Sequence, residues 1–245
     1  YEPTWKDPLS IDYRGYSINC PPPNCSGWQY LQAFKMLESF DLAAMGQNSV
    51  QTLHTLTEAF KIAIADRIAY TTNPNIDFET LLSDDYTAER RALIDASSSA
   101  RIEGERYGGQ RPEGTLAPGD PRLVLKECTT HFDVIDAEGN AVAITQSLGD
   151  GFGSGVMAGE TGFMLNNFGY WFDFDPESPN VIGPNRNIEM CMAPAAIFRD
   201  DKLFMVIGTP GSFGILQTTP QMISNVLDHG YSMQAAIEAP RDRTR

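Results

Sequence analysis

The spacing of apolar residues changes near position 128, and this change limits the folds open to the chain. Before it, apolar residues recur every three or four positions over 27–40 and over 50–68, and Ser49 is predicted to cap the second of these helices. A shorter helix is predicted over 88–96. The first half is therefore expected to be mostly helical.

After this point the apolar residues alternate with polar ones, as they do in strands that bury one face. Two hairpins are predicted, from 132–136 with 141–148 and from 194–199 with 203–208. Two helices are expected to follow, at 220–228 with Pro220 in the first turn and at 232–239. Helices, then paired strands, then helices indicate a layered α+β fold.

The junction between the halves is rich in Gly and Pro. Residues 103–121 contain few apolar residues that could anchor a packed segment. Such a composition is typical of a flexible connector, which we place at about 103–128.

The composition excludes several classes of function. The chain has 18 Lys and Arg against 32 Asp and Glu, a net charge of −14, so its mean field repels the phosphates of a nucleic acid. Four cysteines in 245 residues are too few for a disulfide scaffold. No run of eighteen apolar residues is present, so no membrane span is expected.

Metal, nucleotide and serine-hydrolase motifs are not indicated. His54, His131 and His229 lie far apart without a second ligand at metal spacing, so structural roles are expected for them. The glycines of 149–155 alternate after a predicted strand, but neither a lysine nor a helical pattern follows them. A GxSxG nucleophile elbow is absent from the sequence.

Thr129 and Thr130 stand where the connector meets the strands, and they allow two interpretations. They are either β-branched residues at the start of a strand or an N-terminal nucleophile exposed by cleavage before Thr129. A threonine hydroxyl is a weak nucleophile until a base takes its proton. A free α-amino group, with a pKa of about 8, could take that proton within the same residue.

The segment 208–212, Gly-Thr-Pro-Gly-Ser, follows a predicted strand and also allows two interpretations. It is either a simple turn or a loop whose backbone N–H groups point at a developing oxyanion.

Six segments lie in a fixed order along nearly the whole chain. They are PLSIDYRGYSINCPPPNCSGW, LESFDLAAMGQNSVQTLHTLTEAFKIAIADR, CTTHFDVIDAEGNAVAITQSLGDGFGSGV, GETGFMLNN, IGTPGSFGI and IEAPRDR. Together they resemble the γ-glutamyltranspeptidase (glutathione hydrolase) family of N-terminal-nucleophile hydrolases. The resemblance implies an αββα four-layer sandwich, present here as a fragment that lacks both ends.

The resemblance also implies autocatalytic cleavage between Cys128 and Thr129. Residues 1–128 would then be the C-terminal part of a large subunit, and 129–245 the N-terminal part of a small subunit that stays bound to it. The implied substrate is a small-molecule amide, glutathione or a related compound, and no metal or organic cofactor is expected. Family members occur in the periplasm, outside the cell or in the cytoplasm, so no location is predicted.

Several residues fall on the family's catalytic positions. Thr129 would be the nucleophile, its freed amino group the base, and Ser147 the hydroxyl that assists it. Gly211 and Ser212 fall on the pair whose N–H groups form the oxyanion hole. Asn167 matches the second asparagine of a segment near the acyl group.

The departures concern substrate binding. Trp171 stands where members that bind a γ-glutamyl group have an acidic residue for the substrate ammonium. Met190 and Cys191 stand where a serine pair binds the substrate carboxylate. An indole can still attract an ammonium through a cation–π contact, but Met and Cys give a carboxylate no charge-assisted partner.

Three functional hypotheses remain. The first is an amidohydrolase and transpeptidase that cleaves γ-glutamyl amides through an acyl-enzyme. The second is an acylase of the same family that acts on a different amide. The third is a relative that has lost catalysis and serves as a binding subunit.

Overall fold

The computed structural model describes residues 4–73, 76–99 and 129–244. The strands are β1 (Leu9–Tyr13), β2 (Tyr16–Cys20), β3 (Thr129–Ile135), β4 (Ala141–Ser147), β5 (Ala195–Arg199) and β6 (Lys202–Ile207). The helices are α1 (Trp28–Leu37), α2 (Leu42–Met45), α3 (Val50–Tyr70), α4 (Phe78–Leu81), α5 (Asp84–Arg91), α6 (Ile215–Leu227) and α7 (Met233–Glu238). The predicted connector at 103–128 lies outside the described residues.

A four-stranded antiparallel sheet has the order β1-β2-β5-β6, and β3 and β4 form a separate two-stranded sheet. The sequence analysis missed β1 and β2, because it took the first half as mostly helical. The two strands are joined by Arg14 and Gly15, with φ of 53° and 78°, as a tight two-residue hairpin turn requires. Strand β2 pairs with β5, which is far away in the sequence, and this pairing joins the hairpin to the rest of the sheet.

The main core lies between this sheet and helices α1, α3 and α6. Helix α1 is at its centre, and only Lys35 of its ten residues is not buried. Seven of its nine buried residues are apolar, and the other two are Gln29 and Gln32.

A polar contact links the β1–β2 turn to the end of α6. The Tyr13 hydroxyl donates to Asp228 Oδ1 at 2.9 Å, and Arg14 Nε donates to the same oxygen at 2.7 Å. Burial, followed by the nearby Asp228 carboxylate, raises the pKa of Tyr13 far above its ordinary value, so the phenol remains a donor.

The predicted helices at 50–68 and 232–239 are confirmed, and both begin after a serine cap. Ser49 Oγ accepts from the backbone N–H of Thr52 at 3.1 Å, and Ser232 Oγ accepts from that of Ala235 at 3.3 Å. These caps satisfy donors that the first helical turn leaves free.

The helix predicted at 88–96 is wrong in position, since α5 spans Asp84–Arg91. Ser83 caps it, two acidic residues occupy its first turn and two arginines its last turn. This arrangement complements the helix dipole and sets the helix bounds, whereas the prediction followed apolar spacing alone.

Helix α6 begins at Ile215, so the prediction that Pro220 opens it is wrong. Proline inside a helix has no N–H for the carbonyl four residues earlier, here that of Leu216. Gln29 Nε2 of α1 donates to this Leu216 oxygen at 3.4 Å. The tertiary contact therefore satisfies the acceptor that Pro220 leaves without its helical partner.

Among residues 4–73, 76–99 and 129–244, no helix is both long and apolar enough to cross a membrane.

Candidate active site

Strand β3 begins at Thr129 itself, three positions before the predicted start at 132. In the β3–β4 register, Thr129 lies directly opposite Ser147. Side chains of directly opposed residues project from the same face of a sheet, with Cβ atoms about 4.5–5.5 Å apart. Both residues are half-buried. The fold therefore places two hydroxyl side chains as cross-strand neighbours at the end of a hairpin.

The loop after β4 brings Asn167 to the same end of the hairpin. Ser147 Oγ accepts from the backbone N–H of Gly149 at 3.1 Å. Asn167 Oδ1 accepts from the Asp150 N–H at 3.1 Å, and its Nδ2 donates to Asp150 Oδ2 at 2.8 Å. A Cβ on Gly149 would lie 2.1 Å from Asn167 Oδ1, so only glycine fits beneath this amide.

The loop between β6 and α6 contains two consecutive residues with positive φ. Gly211 has φ of 130° and Ser212 has φ of 53°, and a 3₁₀ turn over Ser212–Gly214 leads into α6. A left-handed non-glycine residue is strained and persists only where its surroundings hold it. Ser212 is 8% exposed, so the loop is packed into the protein at this point. Because Gly211 and Ser212 are the predicted oxyanion donors, we call residues 208–212 the oxyanion loop.

His131 joins the hairpin to the oxyanion loop. It follows Thr129 by two positions in β3, so it faces the same side of the sheet. Its ring lies over Gly208, where an added Cβ would be 2.4 Å from Cε1. Nδ1 and the Thr145 hydroxyl share a hydrogen bond of 2.8 Å, and Nε2 lies 3.0 Å from Asp133 Oδ1.

The sequence analysis gave His131 a structural role but did not identify its contact with Gly208. The signal that could have found it is the period of two in a strand that begins at Thr129. The contact with Gly208 itself joins positions 77 residues apart, and no local pattern reveals it.

Trp171 ends a 3₁₀ turn and belongs to an aromatic cluster beside the oxyanion loop. Its ring centroid lies 4.7 Å from that of Phe168 and 5.7 Å from that of Phe213, the residue after Ser212. The position that resembles an ammonium-binding site is thus surrounded by aromatic rings.

Met190 and Cys191 lie on a different segment. The backbone of Met190 bonds to that of Asn24 at 2.9 Å and to that of Ser26 at 2.8 Å, so it is fixed beside the segment before α1. Cys191 is 1% exposed and belongs to the hydrophobic core. Its thiol therefore faces other side chains rather than an open surface.

A buried ion pair near these segments was also missed by the sequence analysis. Arg67 Nη1 of α3 donates to Glu189 Oε1, next to Met190, and the two side chains are 4% and 8% exposed. Within the described part of the chain, no three His, Cys, Asp or Glu residues are grouped as a metal site would require.

The family model for gamma-glutamyltranspeptidase matches residues 1–245. The chain belongs to this family. Among family relatives, a glutathione hydrolase proenzyme of Escherichia coli (strain K12) is 33% identical, over 98% of this chain and 42% of the relative. The Acylase ACY 1 proenzyme of Pseudomonas sp. (strain V22) is 35% identical, over 96% of this chain and 40% of the relative.

A solved structure of the cephalosporin acylase from Bacillus halodurans is similar to the chain, with a TM-score of 0.76 and 33% identity. The match covers 98% of this chain and 41% of that one. Together with the helices and two sheets described above, this similarity confirms the predicted fold class. The chain spans about two fifths of the length of these γ-glutamyltranspeptidase-family relatives.

Proposed function

We propose that this chain carries the nucleophile and the oxyanion loop of a self-processing N-terminal-threonine amidohydrolase. The observation that carries the proposal is the position of Thr129, at the first residue of β3 and opposite Ser147. The contact of the His131 ring with Gly208 supports the proposal, because His131 lies on the face of the hairpin that carries Thr129. Nucleophile, assisting hydroxyl and backbone donors are the groups that acyl transfer requires.

In the proposed self-cleavage, Thr129 Oγ attacks the carbonyl carbon of Cys128. The C–N bond breaks as the new amino group takes a proton, and water then hydrolyses the resulting ester. The two proposed subunits, 1–128 and 129–245, would remain associated because β2, before the cut, pairs with β5, after it. The freed α-amino group becomes the base of the mature enzyme.

In the proposed turnover, Thr129 Oγ attacks a substrate amide while its proton passes to the α-amino group. The N–H groups of Gly211 and Ser212 stabilise the oxyanion, and the amine leaves with the proton. Water, or an amine acceptor, then releases the acyl group from Thr129.

The first candidate acyl group is γ-glutamyl, as in glutathione. It is supported by the glutathione hydrolases among the relatives and by Asn167, whose amide lies at the Ser147 end of the hairpin. The second candidate is a less polar acyl group. A specific observation favours it, namely that Trp171 and Phe213 form an aromatic wall next to Ser212.

The acyl preference can be tested by replacing Trp171 with Asp. A carboxylate would give a substrate ammonium a charge-assisted partner, worth about 10- to 100-fold in binding. We therefore expect kcat/KM for a γ-glutamyl amide to rise by about tenfold relative to kcat/KM for an apolar acyl amide. Trp171→Asn is the control, because it opens the same space without the charge. Equal ratios in the two variants would contradict an ammonium site here.

The proposed function is tested by intact-mass measurement of the intact protein after incubation, with N-terminal sequencing of any smaller species. We expect a fragment that begins Thr-Thr-His-Phe. A well-folded preparation that stays uncut would instead favour the non-catalytic hypothesis.

A further inference from the structure

A buried arginine contacts the two segments that flank the aromatic cluster. Arg67 Nη1 donates to Glu189 Oε1, and the guanidinium carbon lies 4.5 Å from the centroid of the Phe213 ring. Phe213 directly follows Ser212, and Glu189 directly precedes Met190. One side chain of α3 therefore touches both neighbouring segments.

These contacts form part of a closed ring of interactions. The Glu189 backbone N–H donates to Asn180 Oδ1 at 3.4 Å, and Asn180 Nδ2 donates to the Trp171 carbonyl oxygen at 2.8 Å. The Trp171 ring contacts Phe213, which lies against Arg67. The contacts therefore form a closed circuit that starts and ends at Arg67 and passes through Glu189, Asn180, Trp171 and Phe213.

We propose that Arg67, paired with Glu189, positions the oxyanion loop through the ring of Phe213. The proposal rests on the proposed function, since it assigns Gly211 and Ser212 the oxyanion. It makes Arg67 a positioning residue, because its effect on the oxyanion loop passes through Phe213.

The loop needs such support because its backbone is strained. Ser212 is left-handed with φ of 53°, and such a conformation persists only when its surroundings determine it. Phe213, the next residue, is contacted by Trp171 and by Arg67. Oxyanion donors act only when aimed closely, and a displacement of about 1 Å can lower the rate about 100-fold.

The chemistry of the pair fits positioning better than stabilisation. A buried ion pair contributes little net stability compared with apolar residues of the same volume. A guanidinium, however, is planar, so it can stack on Phe213 and donate to Glu189 in one fixed orientation. Lysine carries the same charge, but its ammonium group is not planar.

The test compares Arg67→Met with a matched control on the same helix. Lys61 Nζ pairs with Glu58 Oε1 at 2.6 Å, with side chains 11% and 1% exposed. In both pairs the carboxylate also accepts from a serine, Ser26 for Glu189 and Ser99 for Glu58. Lys61→Met therefore removes a similar buried cation, one that bonds to Glu58 and Ser99.

Self-cleavage rate, kcat and KM are measured in the intact protein. For Arg67→Met we expect kcat and the cleavage rate to fall about 10- to 100-fold, with KM changed less than about threefold. For Arg67→Lys we expect kcat to fall about tenfold or less. Lys61→Met should keep kcat within about twofold, despite a similar loss in thermal midpoint.

A second readout does not depend on activity. With 5-fluorotryptophan incorporated, the fluorine resonance of Trp171, assigned by its loss in Trp171→Phe, should move in Arg67→Met and Glu189→Gln but not in Lys61→Met. A kcat loss no larger than that of Lys61→Met, or an unmoved Trp171 resonance, overturns the inference. If Arg67→Met does not fold, Arg67→Lys and Glu189→Gln are judged by the same criteria.

The two proposals fail differently. A folded parent protein that neither cleaves itself nor hydrolyses amides overturns the proposed function, and the Trp171 resonance still decides whether Arg67 holds the loop. A parent that cleaves itself, with Arg67 variants equal to it, overturns only the inference.

Discussion

Replacement of Thr129 by Ala is expected to abolish self-cleavage and amide turnover together. Both reactions use the same oxygen atom, and no other residue can supply it at the N-terminus of the proposed small subunit. Loss of a nucleophile lowers kcat by about 10⁴-fold or more. The measurement is a denaturing gel with intact mass, followed by amide hydrolysis under single-turnover conditions.

Two variants serve as comparisons. Thr129→Ser keeps the hydroxyl and should still cleave itself. Ser147→Ala should slow both steps by about 10- to 100-fold without abolishing them, because this hydroxyl only assists its cross-strand neighbour Thr129. An unchanged pattern of two bands for Thr129→Ala would contradict the assignment of the nucleophile, and parental rates for Ser147→Ala would remove Ser147 from the site.

Replacement of Gly211 by Ala is expected to lower kcat by about 100- to 1000-fold, the effect of losing an oxyanion donor. The reason is conformational rather than steric. An added Cβ would meet no atom within 4 Å, but φ is 130°, which an L residue rarely adopts. The loop would relax to a different backbone and turn its N–H groups away. Steady-state kinetics of the cleaved protein measure the loss.

Gly15→Ala is the matched control for this variant. Gly15 also has positive φ, 78°, with no atom within 4 Å of an added Cβ, but it lies in the β1–β2 turn. Gly15→Ala should lower the stability about as much as Gly211→Ala does, and leave kcat within about twofold of the parent value. If both variants lowered kcat equally, the loss would reflect general destabilisation, and the oxyanion role of Gly211 would be wrong.

Local patterns predicted the elements that depend on short stretches of sequence. The helix after Ser49 was found because the serine cap and the apolar spacing over 50–68 agree, and the observed helix has 21 residues. The hairpin predicted at 194–199 with 203–208 is confirmed as β5 and β6, and Asp200 and Asp201, with φ of 50° and 58°, form a turn of the kind that aspartate tolerates. In both, neighbouring residues supply the information.

Predictions failed where a distant residue changes the local rule. Pro220 looked like a helix start, yet Gln29 satisfies the Leu216 carbonyl and lets α6 run through it. Strands β1 and β2 were missed for a different reason: their apolar and polar residues alternate locally, but the first half had been taken as mostly helical.

For the candidate site too, some information lies in short stretches of sequence and the rest in contacts between distant residues. The sequence by itself determined the candidates for reacting residues, because the Thr129 pair, Ser147 and the Gly211 loop are short motifs that resemble those of one family, to which the chain belongs. Only the tertiary structure decided how the chain brings them together. The ring of His131 on Gly208 and the pairing of Arg67 with Glu189 join residues 77 and 122 positions apart. Contacts of this kind leave no periodic trace in the sequence, since they depend on the packing of whole elements rather than on the spacing of neighbours.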